Sequence, residues 1–192
     1  MRNYTARDLY DWVNPYLHKM QYVMVIHSDF RPHNKYIGRI IAERKRRSIF
    51  LEDALKHVSR HLYPNDPKLP FRNRHLFAPI RFTTVENLSP NLTQEQTLHF
   101  NVLIGRIPET MSKDQLTEIF LQSWVKDHRQ SKDIWVKEVA ELEQKKVDEL
   151  PINSFTNYIL KDAYSDKTKA WGTDGVLDEK NLWLPPDALT LK

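Results

Sequence analysis

The chain has 192 residues, 40% hydrophobic and 28% charged, with 29 Lys and Arg against 25 Asp and Glu for a formal net charge of +4. That length suits one domain with a sizeable core, and the composition is that of an ordinary soluble protein with a mild leaning towards polyanionic partners. There is no cysteine, no apolar run of 18 residues, and no apolar stretch in the opening "MRNYTARDLYDW"; this excludes a disulfide framework and a thiol nucleophile, and the expectation is a cytoplasmic protein with no signal peptide and no membrane partner.

Residues 2–17 space Tyr4, Leu9, Trp12, Val13 and Tyr16 as a short helix does. "QYVMVIHSDF" (21–30) predicts a strand, with Tyr22 to Ile26 as a continuous apolar run and His27 at its end. Residues 35–62 are helical in pattern, and the Pro-rich "PNDPKLPFRNR" (64–74) is a loop. "LFAPIRFTTVE" (76–86) and the stretch 97–104 are two strands joined by "NLSPNLTQEQ". Ser112, with Gln115 three residues on, begins a helix as one half of a capping box. "DIWVKEVAEL" (133–142) predicts another strand, and "NSFTNYILKDAY" (153–164) a last helix. Beyond 165 the chain reads as a loop-like tail, 166–192. The order of elements is that of an α+β, ferredoxin-like split βαβ fold, with helices on one face of an antiparallel sheet.

In "TLHFNVLIGRI" (97–107), side chains two apart share a face, so Leu98, Phe100, Val102 and Ile104 face the helices while His99 and Asn101 face away. The hairpin can bring Glu86 beside His99, with Glu95 as the alternative acid. A carboxylate, an imidazole and an amide oxygen suit Mg²⁺ or Mn²⁺ better than zinc. Tyr158 and Lys161, three apart on the last helix, pair a phenol with an ammonium that can favour the phenolate, a candidate nucleophile; Tyr164 is its rival.

Three features in order resemble the HUH endonucleases, the rolling-circle replication initiators of plasmids and single-stranded DNA viruses. "YVMVIHSDF" is similar to their first strand motif. "FTTVE" with "TLHFNVLIG" resembles their metal-binding hairpin, and "NYILK" their nucleophile helix. The resemblance spans roughly residues 20–165 and implies a single nuclease domain (1–165). It implies Glu86, His99 and Asn101 as ligands of Mg²⁺ or Mn²⁺, Tyr158 as nucleophile, and Lys161 as its assistant. The implied reaction nicks and rejoins single-stranded or origin DNA through a 5′-phosphotyrosine, with host replication machinery as partner. Asn101 departs from the pattern, since the family's second histidine stands there. An amide still coordinates a hard cation, but it also fits a non-catalytic origin-binding regulator.

Two further readings concern nucleic acid. Arg39, Arg44, Lys45, Arg46 and Arg47, with Arg72 and Arg74, are either a solvated helix face or a phosphate-binding set. Trp124 and Trp135 read as core residues rather than base-stacking platforms. A generic ferredoxin-like RNA-binding module is the remaining alternative, and it would display aromatics on the free sheet face.

Overall fold

A computed structural model of the chain describes residues 6–140 and 177–185. Tyr158, Lys161 and Tyr164, with the whole expected last helix, lie outside the described residues. Helix α1 (Ala6–Val13) runs into a 3₁₀ turn at Asn14–Lys19, followed by β1 (Met20–His27) and the long α2 (Ile37–His61). Two single-turn helices follow: α3 (Leu69–Arg72) lies inside the stretch expected as loop, and α4 (Arg74–Phe77) takes in Leu76 and Phe77, expected as the start of a strand that instead begins at Ile80. Pro70 sits in the first turn of α3, where a missing N–H costs nothing. Then come β2 (Ile80–Glu86), β3 (His99–Gly105), α5 (Lys113–Leu121) with a π turn at Gln122–Asp127, and β4 (Ile134–Glu138). The capping box at Ser112 and Gln115 forms in both directions.

The four strands lie in the order β2-β3-β1-β4, and every neighbouring pair is antiparallel. With α2 after β1 and α5 after β3, this is the split βαβ arrangement expected from the sequence. Phe100, Val102 and Ile104 of β3 pack with Met24 and Ile26 of β1 against Leu51, Leu55 and Val58 of α2 and Leu116 and Phe120 of α5. Trp124 closes this layer, edge-on to Phe100. At the far end of β3, Gly105 pairs with Met20, and a Cβ there would lie 2.0 Å from the Lys19 carbonyl oxygen. Only glycine permits that approach.

The second sheet face is not bare. Leu9, Val13 and Tyr16 bury Val23, Ile80, Phe82 and Leu103 on that side. The C-terminal segment, expected as loop, instead docks along β2. Arg81 and Trp183 exchange two backbone hydrogen bonds of 2.8 Å, and Asp178 N–H donates to Thr83 O at 2.9 Å. Ser48 Oγ donates to Asp178 Oδ1 at 2.6 Å, and Asn181 Nδ2 donates to Ser48 O at 2.9 Å, tying the segment to α2. The reason is that β2 is an edge strand, whose unpaired backbone groups accept a partner. Among the described residues, no helix is long and apolar enough to cross a membrane.

Candidate metal centre

The α1 layer covers only one end of the second face. At the other end, strand register assembles two rows of side chains. Glu86, His99 and His27 are successive cross-strand partners on β2, β3 and β1, and Thr84, Asn101, Val25 and Trp135 form the adjacent row out to β4. The two-residue alternation that buries Phe100 and Val102 on one side places His99 and Asn101 on the other.

Three side chains converge. His99 Nε2 lies 2.9 Å from Glu86 Oε2, and Asn101 Nδ2 donates to Glu86 Oε1 at 2.6 Å. Of the two acids, Glu86 is the one beside His99, and Glu95 is exposed in the connecting loop. On its other side His99 Nδ1 meets Asn87 Nδ2 at 3.3 Å, and the same amide donates to Thr97 O at 2.9 Å. With Asn87 as donor, Nδ1 accepts, and Nε2 is the ring nitrogen that faces Glu86. Asn87 holds this position in a left-handed conformation, φ 61°. Asparagine tolerates that backbone, and its place directly after the strand-ending Glu86 was the signal for it in the sequence.

His27, at the end of β1, stacks on His99 with ring centroids 4.9 Å apart and planes 27° from parallel. Its Nδ1 lies 3.0 Å from Thr97 Oγ1. Burial is the main influence lowering the His27 pKa, reinforced by His99 and opposed by Asp133 and Glu86. A neutral His27 supports the neighbouring imidazole without adding a positive charge that would repel a cation.

Do the residues present fit a metal? Among the described residues no three His, Cys, Asp or Glu side chains gather as a metal-binding group. The third donor here is an amide. Asn101 is buried, and its Oδ1 has no hydrogen-bond partner. Leaving such an acceptor unsatisfied costs about 1–3 kcal/mol, and a hard divalent cation is a partner that would satisfy it. One carboxylate, one imidazole and one amide oxygen match the oxygen-rich preference of Mg²⁺ or Mn²⁺. The donor set fits.

The basic residues do not form one surface. Helix α2 packs on the face of the sheet opposite Glu86, His99 and Asn101. Arg47 is buried between Asp29, at 2.6 Å, and Glu43, with its guanidinium over the Phe30 ring. Its charge is neutralised within the fold, so it is not a phosphate contact. Arg44 donates to Leu177 O at 2.7 Å, Arg72 pairs with Asp66, and Arg74 stacks over Trp183 at 3.9 Å. Arg39, Lys45 and Arg46 remain exposed on α2. The two tryptophans read as core part ways: Trp124 is fully buried, whereas Trp135 is 40% exposed. Compared with protein-family models, with curated proteins and with solved structures, the chain matches none of them.

Proposed function

We propose that this chain nicks and rejoins single-stranded DNA in the manner of a replication initiator, with Tyr158 as nucleophile and a divalent cation held by Glu86, His99 and Asn101. The observation that carries the reading is the convergence of those three side chains on one sheet face, with a buried Asn101 oxygen that has no hydrogen-bond partner. When bound there, Mg²⁺ or Mn²⁺ supplies positive charge to polarise a scissile phosphate. Glu86 and His99 fix the site's charge and orientation, and the β2–β3 register keeps them rigid. The Tyr158 phenol oxygen bonds to phosphorus as the bond to the 3′-oxygen breaks. The phenolic proton leaves, the 3′-oxygen gains a proton, and the 5′-phosphate stays on tyrosine. Lys161, three residues on in sequence, favours the phenolate. Because the ester is conserved, a 3′-hydroxyl reverses the step and rejoins the strand.

Asn101 also supports a second reading, an origin-binding regulator of the same fold without cleavage, since a neutral amide holds a cation more weakly than an imidazole does. Covalent trapping separates the two. Wild type and Tyr158→Phe are incubated with Mn²⁺ and labelled single-stranded DNA from the protein's own replicon, then run on a denaturing gel with EDTA controls. A labelled protein band that needs metal and disappears in the variant is expected. Tight binding to that DNA with no adduct would overturn cleavage and leave the regulator.

A further inference from the structure

Exposure across the row nearest the candidate metal centre rises steadily from one edge of the sheet to the other. The Glu86 side chain is 2% exposed, His99 12%, His27 32% and Asp133, beyond β1 on the β4 side, 74%. The docked segment at Leu177 bridges to Thr84 on the β2 side. The centre is therefore deep at β2 and opens towards β4. Among the described residues, an approach to His99 or Asn101 from this open edge crosses β4 and β1.

Trp135 stands on that approach. It is the cross-strand partner of Val25, which is the partner of Asn101, so all three share a face. Two strand spacings place it about 10 Å from Asn101 across the sheet. Its neighbours on β4, Ile134 and Val136, pack against the α2–α5 core, which fixes the strand's register and turns the indole outwards. Lys137, two residues on and on the same face, holds its ammonium 5.0 Å from the centre of the indole ring. A large exposed ring on an edge strand is a liability unless something covers it. A flat apolar surface with a cation beside it is complementary to a base and its phosphate.

We infer that Trp135 is a base-stacking platform and Lys137 its phosphate contact, together holding single-stranded DNA on the β4 side of the candidate metal centre. This inference rests on the proposed nicking activity for the identity of the strand. It places a base on Trp135 a few nucleotides at most from the phosphate at Asn101, so the site sets the register of the strand. It also moves the nucleic-acid surface from the α2 arginines to the opposite sheet face.

The test is fluorescence anisotropy with labelled single-stranded DNA from the replicon, the full chain, and EDTA throughout, so that binding is read without cleavage. Wild type, Trp135→Ala and Trp135→Phe are compared on DNA in which one abasic position is walked along the strand. Circular dichroism confirms that the variants are folded, and Trp135→Phe keeps a ring should the alanine variant fail to fold. Loss of one stacked base predicts an affinity roughly five- to 150-fold weaker for Trp135→Ala, with a smaller loss for Trp135→Phe. One abasic position should weaken wild type by a similar factor and leave Trp135→Ala unchanged. Equal affinity of wild type and Trp135→Ala would overturn the platform, even where covalent trapping succeeds. Tighter binding to RNA of the same sequence would overturn the assignment to DNA. A loss that depends on Trp135 alongside failed trapping would uphold the platform and remove only the cleavage.

Discussion

Within the seven residues of β3, Phe100, Val102 and Ile104 enter a closed layer beneath α2 and α5, while His99 and Asn101 meet Glu86 on the other side. On the helix side these three side chains are fully buried in an apolar cluster. The second face changes character along its length, from an apolar end under α1 to a polar end around Glu86. The difference teaches that one strand carries two separable tasks. The helix-side residues supply stability, and the polar end of the second face holds buried groups whose arrangement serves little purpose in packing alone.

Substitutions sharpen that contrast. Phe100→Ala removes a fully buried ring edge-on to Trp124 and is expected to cost about 3–5 kcal/mol, read as a lower urea midpoint at unchanged m. Mn²⁺ affinity of the molecules that remain folded should not change. Asn181→Ala removes the hydrogen bond that ties the C-terminal segment to Ser48 and the bond to Asp178 within the segment, and is expected to cost about 1–3 kcal/mol by the same measurement. Ser112→Ala removes one arm of the capping box, at about 1 kcal/mol. Asn101→Leu takes one donor from Glu86 but also removes an unpartnered buried oxygen, so its net effect on stability is expected to be the smallest, about 1 kcal/mol or less. A loss as large as that of Phe100→Ala would mean that this end of the face is core, and the contrast would collapse.

Much of this was legible because it follows from short-range rules. Alternation in 97–104 sorted the two faces, Ser112 and Gln115 marked the start of α5, and the hairpin allowed Glu86 to meet His99. What sequence could not give depends on contacts distant in the chain. Arg47 looks like part of a basic surface run until the fold brings Asp29 against it, 18 residues away. Residues 177–185 look like loop until β2 emerges as an edge that needs a partner. Trp135 reads as core by residue type, but its place on β4 turns it to the face that α1 leaves uncovered. His27 carried no decisive signal, because its stacking on His99 depends on the β1–β3 register.

The most direct measurement is a Mn²⁺ titration followed by electron paramagnetic resonance, on wild type and Asn101→Leu, with urea curves to match the folded fractions. Wild type is expected to take up one Mn²⁺, and Asn101→Leu to bind it on the order of tenfold more weakly or worse at closely similar stability. Wild type that binds no more Mn²⁺ than Asn101→Leu would contradict a metal centre at Glu86, His99 and Asn101, and would leave that end of the sheet as a buried polar cluster.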